Sequence, residues 1–506
     1  MQAPMTRLLE ILYLAVAVGL AIYGFHALWL TWLRFRHGEA SPRPPQIEEW
    51  PQVTVQLPLF NELHVAQRLL RAVARLDYPR DRLQVLVLDD STDETTALVA
   101  RRVADLQEEG LDIHLLHRRE RRGFKAGALQ EALARTKGEI VVLFDADFLP
   151  PRDYLRRVVP FFVADPRLGC IQTRWEHLNR DFSLLTRAQA LALDGHFAVE
   201  QVARNRAGLF MAFNGTAGAW RRACIEDGGG WQADTLCEDL DLSYRAQLRG
   251  WRFLFLPEVA APAELPAQMA AFKRQQFRWA KGSVQVLRKL GGAVLRAQRP
   301  WPVRLAGLLH LGGYLVHPLM LALLLLSLPL FLLKGHMPLP FAFLSLASAG
   351  PPLLYALGQW TLHPAPQRWW RGYRVLPALM ALGVGIAWNN TVAVLEALLG
   401  RPTPFRRTPK FNLAGRAGNW TRSRYALRPD WTSLVEALLG VYALGVVWAA
   451  AHTGNWLAVP FFALYAWGFF YVSLADLVKP HLGQRARPRL TPTLPSAPSL
   501  PVRRAG

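Results

Sequence analysis

Cysteine is scarce: Cys170, Cys224 and Cys237 are the only three in 506 residues. That excludes the disulfide framework of a small secreted domain, and their spacing suits no metal site. Charged residues are also few, at 19% against 51% hydrophobic, which excludes a disordered chain. Acid is the rarer charge: Asp and Glu total 38 against 59 Lys and Arg, giving a formal net charge of +21. Glycine is missing where a dinucleotide site would need it. The first strand-like run is followed by PLFNE (58–62), which lacks the glycine-rich turn that cradles a pyrophosphate.

What the chain does have is long apolar runs. Residues 8–33 are long enough to cross a bilayer, too long for the core of a signal peptide, and followed by Arg34, Arg36 and His37 instead of a cleavage site. Basic flanks stay in the cytoplasm, so the chain from residue 34 onward is expected there. Further apolar segments recur near 305–333, 340–361, 375–399, 432–451 and 456–478. The basic loop 401–428 and the tail are expected to be cytoplasmic too, and parity then asks that one segment not cross. Asn389, Asn390 and Glu396 make 375–399 the choice, as a re-entrant or interfacial helix. The basic residues gather beside these spans, so membrane topology accounts for the charge and no nucleic-acid partner is needed.

Residues 41–260 hold most of the acid and no spanning run. Strand-like runs at 53–57, 84–89, 112–116 and 139–145 alternate with helical spacing at 62–75, 94–108 and 124–136. This is an α/β pattern that predicts a parallel sheet with helices on both faces. Residues 261–300 are basic and amphipathic and read as helices on the membrane surface. The expected organisation is a spanning helix and linker (1–40), a cytosolic α/β domain (41–260), interfacial helices (261–300) and an α-helical transmembrane bundle (301–480). A disordered basic tail (481–506), too short for an appended regulatory domain, completes it.

Ligands of an open parallel sheet bind at the carboxyl ends of its strands. Asp89 and Asp90 end the second strand, and Asp145 and Asp147 end the fourth in FDADF. Two acids in D-x-D spacing suit Mg²⁺ or Mn²⁺ carrying a diphosphate, or are solvated loop carboxylates. Glu238, Asp239 and Asp241 open a helix in LCEDLDLSYR (236–245), as dipole-complementing caps or as a general base in a cleft. Gln275, Arg278 and Trp279 form Q-x-x-R-W in RQQFRWAKG (274–282). Arg278 can grip a diphosphate and Trp279 can stack on a sugar, although Arg and Trp also mark membrane-interface helices.

In this order, over residues 52–285, these motifs resemble the processive family 2 glycosyltransferases, which include cellulose, mannan and hyaluronan synthases. FNE (60–62), RRGFKAGAL (121–129) and FNGTAGAWRR (213–222) add to the likeness, which is nearest to bacterial cellulose-synthase-like proteins and plant glucomannan 4-β-mannosyltransferases. The resemblance implies a GT-A-like fold and a UDP- or GDP-sugar donor. It places Glu62, Asp89, Asp90 and Lys125 at the nucleotide and Asp145 and Asp147 at the metal, with Asp147 the direct ligand. It makes Asp239 the catalytic base, with Glu238 and Trp279 at the acceptor and Gln275 and Arg278 over the diphosphate. Cys237 stands where the family has threonine. Phe405, Thr408 and Lys410 in PFRRTPKF (404–411) are similar to a gating loop, with Arg407 in place of a valine, or belong to a basic loop that binds acidic lipid heads.

The implied product is a β-linked glucan or mannan, made by one inverting displacement and passed through the helices of an integral plasma (inner) membrane protein, with an envelope export partner beyond it. A glycolipid made on a lipid acceptor is the alternative, and a non-enzymatic transporter or scaffold the remote one.

Overall fold

The computed structural model describes residues 2–38, 42–334, 346–363, 365–428 and 430–475. The tail 481–506 and the start of the segment 340–361 lie outside the described residues.

Strands form where the apolar runs predict them: β1 (Val53–Leu59), β2 (Leu83–Asp89), β3 (Asp112–His117) and β4 (Ile140–Leu143). All pair in parallel. Both faces are covered, Val85 and Val87 packing into one apolar cluster and Leu86 and Leu88 into another. A strand buried on both faces reads as a continuous apolar run without alternation, and each such Val or Leu contributes about 1.5–3 kcal/mol.

Beyond β4 the sheet departs from the all-parallel expectation. β5 (Leu168–His177), β6 (Gly218–Arg221) and β7 (Arg252–Ala263) complete the order β3-β2-β1-β4-β6-β5-β7. β6 runs antiparallel to both β4 and β5. Its reversed direction has a consequence for the site. The loop that precedes it, Phe213–Ala217, lies at the carboxyl ends of the parallel strands, where Thr216 Oγ1 accepts the Asp145 N–H at 2.8 Å.

Residues 261–300 also differ from expectation. β7 extends to Ala263, and a single 28-residue helix, Met269–Arg296, follows. It is wedged within the protein, with Ala271, Ala280, Lys281, Val284 and Val286 buried. Lys273 Nζ meets Glu436 at 2.7 Å and Lys281 Nζ meets Glu396 at 2.7 Å, so this long helix is ionically fastened to the helices Thr432–His452 and Ala387–Leu398.

Among the described residues, Met5–Arg36, Gly313–Lys334 and Thr432–His452 are long and apolar enough to cross a membrane. Segment 375–399 forms Leu376–Gly385 and Ala387–Leu398, part of a pair bent by 43° that passes the same test when taken together. Asn389, Asn390 and Glu396 find partners inside the protein. Asn389 donates to the Lys273 carbonyl at 3.1 Å, and Asn390 and His317 share a hydrogen bond of 2.9 Å. These partners offset the polarity that spoke against a crossing.

Candidate active site

Glu62, Asp90, Lys125, Asp145, Asp147, Glu238, Asp239, Gln275, Arg278, Trp279, Phe405, Thr408 and Lys410 line one cleft at the carboxyl rim. Two acids singled out from the sequence are not there: Asp89, and Asp241, which is fully buried against Arg245 and Lys289.

Asp89 and Asp90 are consecutive at the end of β2, and successive residues of an extended chain face opposite sides. Asp89 is buried behind the rim, where it accepts from Ser91 N at 3.1 Å and Thr96 Oγ1 at 2.6 Å and lies 3.0 Å from His117 Nδ1. It shapes the loop and does not line the cleft. Asp90 faces the cleft in a two-pronged pair with Arg118, both contacts 2.7 Å. Arg121 lies 3.6 Å from the same carboxylate, with its guanidinium 3.5 Å above the Phe60 ring.

The D-x-D carboxylates each meet a cation. Lys125 bonds Asp145 at 2.6 Å and the Gly215 carbonyl at 2.9 Å. Lys410 arrives from the chain after residue 400 and bonds Asp147 at 2.7 Å. Electrostatically the pair suits a divalent ion. Among the described residues no three metal-binding side chains cluster. Such a donor set fits Mg²⁺ or Mn²⁺ holding mainly to phosphate oxygens through one or two carboxylates.

Asp239 stands in the first turn of the helix Glu238–Leu248 and lines the cleft, half-buried. Burial, reinforced by neighbouring Glu238 and opposed by Lys125, lifts its pKa to about 7. A carboxylate with that affinity can take a proton near neutral pH. Gly215 makes room for it: a Cβ there would come within 2.8 Å of Asp239 Oδ2, and its φ of +83° suits glycine. Cys237 packs its Sγ 3.8 Å from the Arg278 carbonyl, against Gly282, whose Cβ would fall 2.4 Å from that sulfur. The sulfur thus holds the helix that carries Asp239 against the Q-x-x-R-W helix by close packing.

Residues 401–428 cross the cleft as a strap without helix or long strand. Phe405 stacks on Phe124 at 5.8 Å, and the Arg278 guanidinium lies 4.7 Å from the Phe405 ring centre. Arg407 pairs with Glu62 at 3.0 Å. Burial nevertheless raises Glu62 to about 8, against the lowering effect of Arg407. With the strap in place the cavity measures about 190 Å³, below the roughly 300–1,000 Å³ of ordinary ligand clefts.

Sequence reasoning missed Arg118 and Arg121, both inside a basic run, and Arg68 and Glu264. Glu264 left one trace, a lone acid in the apolar stretch VAAPAELPA (259–267).

Residues 51–282 match the family model described as "Glycosyltransferase like family 2". They are a family 2 glycosyltransferase domain. Glucomannan 4-beta-mannosyltransferase 2 of Arabidopsis thaliana is 44% identical to this transferase domain over 254 residues, which are 49% of this chain and 48% of the relative. Probable glucomannan 4-beta-mannosyltransferase 6 of Oryza sativa subsp. japonica is 42% identical over 254 residues, 49% of this chain and 44% of the relative. The chain spans about half the length of the curated relatives it matches. Among solved structures, mannosyltransferase PcManGT from Pyrobaculum calidifontis, in complex with GDP-Man and Mn2+, superposes with a TM-score of 0.55 at 27% identity. That match covers 77% of this chain and all of the other, and supports the GT-A-like fold.

Proposed function

We propose that the protein is a membrane-embedded inverting hexosyltransferase that builds a β-linked glycan of mannan or glucomannan type from a nucleotide-sugar donor. The observation that carries the reading is one cleft lined by Asp147, Asp239, Arg278 and Trp279. The mannosyltransferase relatives and the GDP-mannose complex of the structural neighbour make GDP-mannose the first donor to test.

In this reading Asp239 accepts the proton of an acceptor hydroxyl as that oxygen attacks the anomeric carbon from the face opposite the diphosphate. A single displacement inverts the anomer. Arg278 offsets the charge that develops on the departing diphosphate. Trp279 offers its ring to the acceptor sugar, and Glu238 shares that side of the cleft. Asp147, with Asp145 beside it in the sequence, would hold a divalent cation whose charge also favours departure. The strap covers the donor and excludes water. The domain faces the cytoplasm below the inner membrane, consistent with the basic residues beside its spans, and the product leaves between the helices.

The test is a donor panel (GDP-mannose, UDP-glucose, UDP-N-acetylglucosamine) with protein purified in detergent and Mg²⁺ or Mn²⁺, reading released nucleotide and product size. Polymer insoluble in organic solvent supports the reading. A product extracted into that solvent replaces it with glycolipid synthesis. No transfer from any donor overturns it.

A further inference from the structure

Glu264 follows β7 and is almost fully buried, its side chain only 1% exposed. A carboxylate so placed needs partners, and most of its partners come from the strap. Oε1 accepts the Phe411 N–H at 2.7 Å and Oε2 accepts the Leu413 N–H at 3.0 Å. From its own domain it takes Arg68, at 3.2 Å. Arg68 in turn donates to Asn412 Oδ1 at 2.7 Å. Asn412 itself is exposed and holds a φ of +62°, which turns the backbone so that the N–H groups on either side both point at one carboxylate. Four consecutive strap residues are thus gripped at once, because Lys410 Nζ also bonds the Glu264 carbonyl at 2.7 Å, beside its contact with Asp147.

This is the pattern of a docking site. Without the strap, Glu264 would keep a single neighbour and bury an under-paired carboxylate, which is costly. The carboxylate of Glu264 grips the strap through backbone N–H groups, and only Lys410 and Asn412 add side-chain contacts. It also leaves the Lys410 ammonium able to exchange Asp147 for another anion without release of the strap.

We propose that Glu264, supported by Arg68, is a positioning residue for sugar transfer: it docks strap residues 410–413 over the donor and touches neither donor nor acceptor itself. The inference rests on the reading of the cleft as a nucleotide-sugar site.

The test uses the full chain in detergent, with Arg416→Cys carrying a nitroxide. Position 416 is exposed and the native cysteines are all buried, so the label reports the strap. Glu264→Gln turns one acceptor into a donor that faces a backbone N–H. It is expected to mobilise the label and raise the donor KM about tenfold, the weight of one hydrogen bond to a charged group. Asn412→Gly keeps the positive φ and removes only the Arg68 contact. It should shift both readouts in the same direction by about threefold, the weight of an ordinary hydrogen bond. It also carries the test if Glu264→Gln fails to fold. A label as immobile as in the parent, or an unchanged donor KM in both variants, overturns the proposal. A parent inactive on every nucleotide sugar, while the label still responds to Glu264→Gln, overturns the transferase reading and leaves the dock standing.

Discussion

In the helices beside the α/β domain, Glu436 and Glu396 are each met by a lysine of the long helix Met269–Arg296, Lys273 and Lys281. In the cleft, Glu62 and Asp147 are each met by a cation of the strap, Arg407 and Lys410. The chemistry is the same, a carboxylate and a cation about 3 Å apart out of bulk water. The backbone behind the cation differs. These two lysines stand on a 28-residue helix packed on several sides, and their geometry is set by the fold. The strap cations stand on a segment held by side-chain and backbone hydrogen bonds, and they occupy sites that a donor and its metal would claim. Fixed pairs lock two parts of the molecule together, whereas in the proposed reading the strap pairs neutralise a charged cleft and are exchangeable for a ligand.

The hardest blow to the comparison is struck where a cleft acid has a chemical task. Asp239→Asn is expected to lower kcat by about 100- to 10,000-fold, the usual worth of a general base, with nucleotide affinity nearly unchanged. Single-turnover rates and nucleotide titrations measure both, and undiminished turnover would remove Asp239 from the mechanism.

Next in size is a fixed pair. Lys273→Met removes the cation that faces the buried Glu436 carboxylate and should cost about 3–5 kcal/mol in thermal unfolding in detergent. Adding Glu436→Leu should restore most of it, because an apolar pair needs no counter-charge. Failure of that rescue would show that the two residues act separately.

The pH profile of kcat comes third. Asp239 must be deprotonated to accept a proton, and its pKa is raised to about 7. Transfer should therefore fall about tenfold per unit as pH drops below that value and level off above it. An acidic limb near pH 4 would contradict the burial effect.

The smallest effect on stability belongs to an exchangeable pair. Lys410→Met should leave the melting temperature within about 2 °C, since the strap lies outside the main core. Its effect should appear in the metal and donor concentrations needed for half-maximal rate. A large loss of stability would place Lys410 among the fixed pairs.

Much of the fold was legible because parallel strands buried on both faces leave unbroken apolar runs, as in β2 and β4. β6 was hidden: four residues, GAWR, are too short to show a period, and nothing local sets a strand's direction. The site was legible where chemistry is dense in sequence, as in FDADF and RQQFRW. It was illegible at Glu264 and Arg68, whose meaning comes from a strap almost 150 residues away from the first and further from the second. Asp89 and Asp90 show the limit most plainly. Equal in type and adjacent in the chain, they were separated only by the alternation of side chains at a strand end.

By itself, the sequence determined which stretches are buried, which residue types carry charge into the molecule, and which acids, arginine and tryptophan to look for in one place. Those are local properties, set by hydropathy and side-chain identity. Only the tertiary structure decided which acid faces the cleft, which cation answers it, and whether the polar residues of 375–399 are exposed to lipid or satisfied by neighbours. Pairing between distant segments depends on three-dimensional proximity, and no local pattern encodes it.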